Sequence, residues 1–166
     1  RGIHLHIVLI EPEIPGNTGN IARLCAGTGI ELHLVKPLGF LTDDKHLKRA
    51  GLDYWHLVKV HEHESFAEVE ALYQGHVFYF CSTKAAHTYT EPHYTQEDVL
   101  VFGRESAGIP EEILAEHWEH TVRIPMQKDA RSLNLSNAAA VVAYEAMRQV
   151  SFANLAEEGP GLRRWK

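Results

Sequence analysis

Short apolar runs rich in β-branched and aromatic residues recur along the chain, and segments of helical period separate them. The helical segments are residues 20–26, 43–50, 65–73, 111–117 and 138–150. Strands that alternate with helices at this spacing are typical of an α/β domain. The pattern predicts a mostly parallel six-stranded sheet flanked by helices, with strands within residues 4–11, 31–37, 57–61, 76–82, 98–103 and 121–126.

Three of the predicted helices carry a start signal with a physical cause. Thr42 precedes two aspartates, where a side-chain oxygen can accept hydrogen bonds from the first free N–H groups. Ser65 and Glu68 have the spacing of a capping box. Pro110 suits a first turn, because the N–H that proline lacks has no partner there.

Length and composition indicate one domain. The chain has 166 residues, and we expect the domain over residues 1–154 and a loose tail over 155–166, which contains Glu-Glu-Gly-Pro-Gly. No apolar run approaches the roughly 18 to 20 residues that span a bilayer, and the first residues lack the uncharged core of a signal peptide. The two cysteines, Cys25 and Cys81, lie in apolar settings. We therefore expect a cytoplasmic protein with reduced thiols and no membrane anchor.

The formal net charge of -6 argues against a protein that coats nucleic acid non-specifically. It leaves room for a local basic site, and each cluster of positive charge is also consistent with plain solvated surface. These clusters include Lys45, Lys48 and Arg49, and Lys128 with Arg131.

Twelve histidines raise the question of a metal site. The best pairs are His61 with His63 and His117 with His120. Neither pair has a third ligand at a recognised zinc spacing, so we expect no metal.

In open parallel sheets, ligands bind outside the carboxyl ends of the strands, so a site is expected in the loops that follow strands. The first such loop, residues 11–20, has neither the GxGxxG pattern nor a phosphate-binding P-loop pattern. Its asparagines can cap the next helix, and Gly16 and Gly19 can take positive φ, so a well-made turn is one interpretation. Arg23 favours another, because an arginine near a helix N-terminus opposes the dipole unless it meets an anionic ligand.

The loops after the fifth and sixth predicted strands are also unusual. In residues 102–110, Gly103 ends a buried strand where a ligand can approach the backbone, and Glu105 follows in the loop. In residues 129–146, hydroxyl and amide residues alternate with leucines before a helix rich in alanine. A helix start needs one cap, which Ser136 or Asn137 can supply, and burial alone does not explain the other polar residues. The alanines indicate close packing by a loop or a second subunit.

Taken together, these segments resemble the SPOUT superfamily of RNA methyltransferases, specifically its SpoU-type 2′-O-methylating branch. The similarity is greatest to the small enzymes that modify the cytidine or uridine at the tRNA wobble position, and it runs from about Ile7 to Phe152. It implies a C-terminal trefoil knot, S-adenosylmethionine as cofactor, a tRNA anticodon stem-loop as substrate, and a homodimer with its active site at the subunit interface. The matching segments are residues 12–29, 39–55, 101–110 and 124–146.

The resemblance also implies roles for particular residues. Backbone groups at four positions would hold the adenosine moiety, and Arg23 would bind the RNA phosphate and steer the 2′-hydroxyl. The proton acceptor is open between that phosphate and a transiently deprotonated guanidinium. The cofactor positions are Cys81, Gly103, Ile124 and Ser132, and the catalytic positions are Arg23, Asn17, Ser132 and Asn134.

Two other functions remain open from the sequence. One is 2′-O-methylation of another tRNA position or of ribosomal RNA, because those enzymes share the same three loop motifs. The other is a non-enzymatic α/β module that binds a nucleotide or a partner protein. Arg104 stands where relatives often have proline, and this departure leaves substrate choice open.

Overall fold

A computed structural model describes residues 4–163, and for residues 51–53 it describes the backbone alone. Residues 1–3 of the predicted domain and residues 164–166 of the predicted tail lie outside the described residues. Leu155 packs against the core and residues 156–163 are exposed. The division into a domain and a tail stays a prediction.

Seven strands form one sheet in which every neighbouring pair is parallel. The order across the sheet is β3-β2-β1-β6-β4-β7-β5. All six predicted strands are present, and the predicted count is one short because β5 has only two residues, too few for an apolar period. The strands are β1 His6–Ile10, β2 Glu31–Val35, β3 Val60–His63, β4 Phe78–Cys81, β5 His87–Thr88, β6 Val99–Phe102 and β7 Thr121–Arg123.

Five α-helices lie where helical period predicted them, although the first and last begin earlier than expected. Short 3₁₀ helices at Leu52–Leu57 and Trp118–His120 extend the segments after the second and fourth helices. The α-helices are α1 Pro15–Thr28, α2 Lys45–Gly51, α3 Phe66–Leu72, α4 Glu111–Glu116 and α5 Leu135–Gln149.

The early start of α1 corrects two expectations. Gly16 and Gly19 lie inside the helix, and neither takes positive φ. Because α1 begins at Pro15, Arg23 lies about two turns into the helix rather than near its first turn. The argument that Arg23 opposes the helix dipole at the N-terminus was therefore wrong.

The helix caps also differ from expectation in part. Asn134 caps α5, because its Oδ1 accepts from the N–H groups of Ser136 and Asn137, so these two residues are not the caps. At α2 the side chain of Asp44, not Thr42, accepts from the N–H of His46 at 2.7 Å. The predicted cap at Ser65 is confirmed, since its Oγ accepts from the N–H of Glu68.

Two apolar clusters cover the two faces of the sheet. One contains residues of α1, α5, β1 and β2, and the other contains residues of β1, β4, β6, α3 and α4. The alanines Ala139, Ala143 and Ala146 are buried in the first cluster together with Ala22 and Cys25 of α1. The close approach that these alanines predicted is thus made within one chain by α1, and the trefoil knot stays a prediction.

Four histidines share one face of the sheet at β1, β2 and β3. His6 Nδ1 lies 2.9 Å from His33 Nε2, and His33 Nδ1 lies 2.9 Å from His63 Nε2. The His61 ring stacks on His33 with 4.7 Å between centroids. Burial lowers the pKa of His6 to about 4 and the pKa of His33 to about 2, so both rings are neutral at pH 7.

Within residues 4–163, no cluster of three or more His, Cys, Asp or Glu side chains is placed to hold a metal ion. In the same range, no helix has both the length and the apolar content that crossing a membrane requires.

Candidate active site

A cavity of about 540 Å³ lies at the carboxyl edge of the sheet, where the loops after β1, β4, β6 and β7 meet. This volume is in the usual range for sites that hold a small ligand. The site is therefore where the topology of a parallel sheet predicts it.

Six of the seven predicted site residues line this cavity. They come from four separate segments of the chain, and the fold places them together although more than 100 residues separate the first from the last. The six are Asn17, Cys81, Gly103, Ile124, Ser132 and Asn134.

Arg23, the remaining predicted residue, does not line the cavity. Its side chain is exposed on α1, and its guanidinium carbon lies 5.4 Å from the centroid of the Tyr54 ring. Tyr54 belongs to the 3₁₀ helix that follows α2 and is itself exposed. Sequence reasoning missed this partner, because the cation–π contact depends on how α1 packs against the segment after α2.

A chain of hydrogen bonds ties three of the cavity loops together. The side-chain amide of Asn134 donates to Asn17 Oδ1 at 3.1 Å, and the amide of Asn17 donates to Glu105 Oε2 at 3.1 Å. At the other end, Asn134 Oδ1 accepts from two N–H groups of the first turn of α5. Residues from the loops after β1, β6 and β7 therefore hold one another in place.

The two ends of this chain determine how both amides are oriented. The N–H groups at the start of α5 can only donate, so Asn134 must turn its oxygen toward them and its amide toward Asn17. The carboxylate of Glu105 can only accept while it is ionised, so Asn17 must turn its amide toward Glu105. The polar surface that Asn17 and Asn134 present to the cavity is thus set by the first N–H groups of α5 and by the carboxylate of Glu105.

Glu105 also explains why α1 begins without a local cap. Ile14 precedes the helix and offers no side-chain acceptor. Instead, Glu105 Oε1 accepts from the N–H of Glu13 and Oε2 accepts from the N–H of Ile14, both at 2.9 Å. A carboxylate at this end of a helix is also favoured by the dipole.

The loop that carries Glu105 is held in return by Glu13. The carboxylate of Glu13 accepts from the N–H of Ser106 at 2.9 Å and from its hydroxyl at 3.0 Å. These hydrogen bonds lower the pKa of Glu13, so the group is ionised at neutral pH. Each of the loops after β1 and β6 therefore supplies a carboxylate that accepts hydrogen bonds from the other loop. No local pattern in the sequence indicated this pairing.

Gly103 is required by the chain's own backbone. A Cβ at this position would lie 2.1 Å from the carbonyl carbon of Gly108 and 2.2 Å from the nitrogen of Ile109. The intervening loop closes on itself, since the N–H of Gly108 donates to the carbonyl of Arg104 at 2.8 Å. Gly108 takes a φ of 71° at this turn. The group that approaches Gly103 is thus the other end of its own loop, and the predicted approach of a ligand stays a prediction.

The remaining cavity groups determine its charge. Burial raises the pKa of Cys81 to about 12, so its thiol is neutral and is not a base or a nucleophile at pH 7. Three cations line the cavity, and Lys84 was missed although it follows β4, where the loop rule pointed. Lys84 pairs with Glu111, and Arg104 lies 4.0 Å from Glu11. Arg131 forms no ion pair with the described residues.

No histidine is among the residues that line the cavity, and the carboxylate of Glu105 already accepts three hydrogen bonds. A general base of the usual kind is thus lacking in the described part of the site. The arrangement can position two reactants and bind anionic groups, which suits a displacement reaction limited by orientation.

Comparison with known proteins gives a consistent result. The model of the SpoU rRNA Methylase family matches residues 4–144. A protein of Methylovorus glucosotrophus named tRNA (cytidine(34)-2′-O)-methyltransferase is 52% identical over 148 residues, which cover 89% of this chain and 96% of that protein. The Yersinia pestis protein of the same name is 49% identical over 154 residues, which cover 89% of this chain and 95% of that protein.

A solved structure described as concerning 2-OH methylation of C/U34 on tRNA has a TM-score of 0.86 and 48% sequence identity. It covers 90% of this chain and 97% of its own chain. The similarity to these proteins therefore extends over almost the whole described chain and includes the cavity.

The SpoU methyltransferase AviRb of Streptomyces viridochromogenes, solved in complex with AdoMet, has a TM-score of 0.81 and 27% identity, and it covers 91% of this chain and 59% of its own chain.

Proposed function

The chain belongs to the SpoU rRNA Methylase family, and from this membership we propose that it methylates the ribose 2′-hydroxyl of the wobble nucleotide of tRNA, nucleotide 34. The nucleotide would be a cytidine or a 5-modified uridine in the anticodon loop. The observation that carries the proposal is the chain of hydrogen bonds from Glu105 through Asn17 to Asn134, which joins three loops around one cavity. Relatives named for this reaction match the chain over most of their own length.

The cavity residues fit S-adenosylmethionine. The cavity volume of about 540 Å³ suits a ligand of that size, and the cavity walls include backbone of the loops after β4, β6 and β7. When bound, S-adenosylmethionine supplies the methyl group on its sulfonium centre. Backbone groups at four positions would hold the adenosine, and the neutral thiol among them would not compete for the methyl group. These positions are Cys81, Gly103, Ile124 and Ser132.

The side chains named as catalytic would orient the ribose. Asn17, Ser132 and Asn134 face the cavity, where amides and a hydroxyl can hold the sugar by hydrogen bonds. Arg23 lies six residues further along α1 than Asn17, about 9 Å at the rise of an α-helix. RNA that crosses the cavity mouth would meet its exposed guanidinium. Arg23 would therefore bind an RNA phosphate and steer the 2′-hydroxyl. The hydroxyl proton would pass to that phosphate or to the transiently deprotonated guanidinium.

A local basic surface would bind the anticodon stem-loop despite the net charge of -6. The basic side chains of α2 and of the loops after β6 and β7 are exposed, so they are available to phosphates. The proposed contacts are Lys45, Lys48, Arg49, Arg104, Lys128 and Arg131.

We also propose a homodimer with the active site at the subunit interface, acting in the cytoplasm as a single domain. Exposed apolar side chains at the cavity mouth and on α5 support a second copy in this region. They include Ile14 and Leu133, which line the cavity, and Val141 and Tyr144 on α5. Light scattering after gel filtration should give twice the mass of one chain. An active preparation whose measured mass is that of a single chain would contradict the dimer.

Mapping of the modified nucleotide tests the reaction. The protein is incubated with S-adenosylmethionine and unmodified tRNA transcripts, and the methylated ribose is located by mass spectrometry of nuclease fragments. We expect methylation at nucleotide 34 alone. A parallel thermal-shift series should show stabilisation by S-adenosylhomocysteine and none by NAD or ATP.

The same assay distinguishes methylation of nucleotide 34 from methylation of a rival substrate. The family description names ribosomal RNA, which favours including ribosomal RNA fragments and other tRNA positions as competing substrates. Methylation of ribosomal RNA or of another tRNA nucleotide, with nucleotide 34 unmodified, would contradict the proposed substrate. Absence of any shift with S-adenosylhomocysteine would contradict the cofactor.

A further inference from the structure

Glu13 contacts two loops, the loop after β6 at the cavity and the loop between β2 and α2. On one side its carboxylate accepts two hydrogen bonds from Ser106 on the cavity rim. On the other side its backbone touches Gly39, in the loop between β2 and α2. The loop after β1 therefore connects the cavity to a segment that does not line it.

The contact with the cavity loop is reciprocal and fixes both partners. Glu13 holds Ser106 through its carboxylate, while the N–H groups of Glu13 and Ile14 are held by the carboxylate of Glu105. A shift of one loop would break hydrogen bonds to both carboxylates at once. Because Glu105 also orients Asn17, such a shift would reach the side chains that face the cavity.

The contact with Gly39 is equally close. The N–H of Gly39 donates to the carbonyl of Pro12 at 2.9 Å. A Cβ at Gly39 would lie 2.7 Å from the Cα of Glu13 and 2.8 Å from its carbonyl oxygen. Gly39 does not have positive φ, so closeness to Glu13, not backbone conformation, requires glycine here. A movement of Gly39 would therefore either carry the backbone of Pro12 and Glu13 with it or break this contact.

The segment that contains Gly39 leads directly into the basic surface. Residues 36–44 join β2 to α2, and α2 carries the exposed side chains of Lys45, Lys48 and Arg49. RNA that engages these cations would hold the start of α2 and the loop before it.

We propose that Glu13 and Gly39 are positioning residues that make RNA binding at α2 and cofactor binding in the cavity interdependent. This inference rests on the proposed function. RNA on α2 would hold Gly39 against Glu13, and Glu13 would hold Ser106 and the cavity rim in the arrangement that takes the cofactor. Each ligand orders the loops that the other needs, so each tightens the other, and linkage requires the two factors to be equal.

The test is a binding measurement without turnover. S-adenosylhomocysteine is titrated calorimetrically into the full chain alone and into the chain saturated with an unmodified tRNA transcript. For the wild-type protein we expect tRNA to lower the dissociation constant of S-adenosylhomocysteine by roughly fivefold or more. In Glu13→Gln, which keeps the shape but loses the ionised acceptor, we expect that ratio to fall to about one.

Glu116→Gln is the matched control, because Glu116 is an exposed carboxylate on α4 that has no hydrogen bond or ion pair to the described residues. It should keep the wild-type ratio. Gly39→Ala perturbs the contact from the side of the loop before α2, and it should also lower the ratio of dissociation constants to about one. If Gly39→Ala does not fold, Glu13→Gln still decides the question, since it adds no atom to the contact.

The outcomes separate the inference from the proposed function. Wild-type protein that binds tRNA and S-adenosylhomocysteine independently, or Glu13→Gln that keeps the wild-type ratio, would overturn the link while leaving methylation at nucleotide 34 intact. Wild-type protein that does not bind tRNA at all would remove the proposed function, and the tRNA titration shows this directly. A merely structural role of Glu13 would lower the melting temperature without changing the ratio.

Discussion

Acid should destabilise this protein between pH 7.5 and pH 5 through its histidine cluster. His6, His33 and His63 bond to one another on the sheet, and burial lowers the pKa of each below that of an exposed imidazole. In the unfolded chain the same rings titrate near pH 6.5. Below that pH the unfolded state binds protons that the folded state refuses, so the free energy of unfolding falls as pH falls.

The magnitude follows from two of the rings. The folded pKa is about 4 for His6 and about 2 for His33, so both stay neutral at pH 5. A pH of 5 is about 1.5 units below the pKa of the unfolded rings. At about 1.4 kcal/mol per unit, each ring lowers the free energy of unfolding by about 2 kcal/mol. Together they remove about 4 kcal/mol, a large part of the 5–15 kcal/mol typical of a domain.

Urea unfolding followed by circular dichroism measures this loss at constant ionic strength. His33→Gln keeps a donor and an acceptor but removes one titrating ring, so the difference between pH 7.5 and pH 5 should fall from about 4 to about 2 kcal/mol. His93→Gln is the control, because His93 is exposed on the loop before Tyr94 and should leave the difference unchanged.

Other groups do not blur the comparison. Hydrogen bonds lower the pKa of Glu13 and of Glu91, and these carboxyls lose their contribution below about pH 4.5, outside the window. Burial raises the pKa of Asp98, which acts in the opposite sense but equally in every variant. Equal stability of the wild-type protein at the two pH values, or a full difference retained in His33→Gln, would refute the reasoning.

Three further predictions concern the site and are checked by titration and initial rates. Gly103→Ala places a Cβ against the backbone of Gly108 and Ile109 in the same loop, so we expect a loss of about 1–3 kcal/mol in urea unfolding and at least tenfold weaker S-adenosylhomocysteine binding by calorimetry; unchanged binding would contradict the contact. Tyr54→Leu removes the ring beneath Arg23, and since an exposed cation–π pair contributes about 0.5–1 kcal/mol, kcat/KM for tRNA should fall about twofold to fivefold, whereas Tyr54→Phe should retain it. Reversing Lys48 and Arg49 together to glutamate should weaken tRNA binding with little change in S-adenosylhomocysteine affinity, and undiminished tRNA affinity would make that patch a plain solvated surface.

The predicted strands and helices are recovered because their signals are local. A run such as residues 98–103 contains enough apolar, β-branched side chains to indicate a buried strand without knowledge of its neighbours. Once the sheet is parallel, the loops after its strands must share one edge, so the location of the cavity follows as well. Six of the seven site residues that the family resemblance implied line this cavity.

The errors at the start of α1 and at Arg23 concern contacts between distant parts of the chain. The start of α1 at Pro15 depends on Glu105, whose hydrogen bond to the N–H of Glu13 spans 92 residues. The position of Arg23 changed with that start, and its contact with Tyr54 depends on packing between two helical segments.

The sequence by itself determined the α/β architecture, the edge at which the site lies and the family resemblance, because periodicity and loop motifs are properties of short segments. Only the tertiary structure decided that Glu105 accepts hydrogen bonds at the start of α1, how Asn17 and Asn134 are turned, and that histidines bond to one another inside the sheet. Asn134 donates to Asn17 across 117 residues of chain. Hydrogen-bond partners at that separation are chosen by folding as a whole, since each donor takes the acceptor that the packed chain brings within reach.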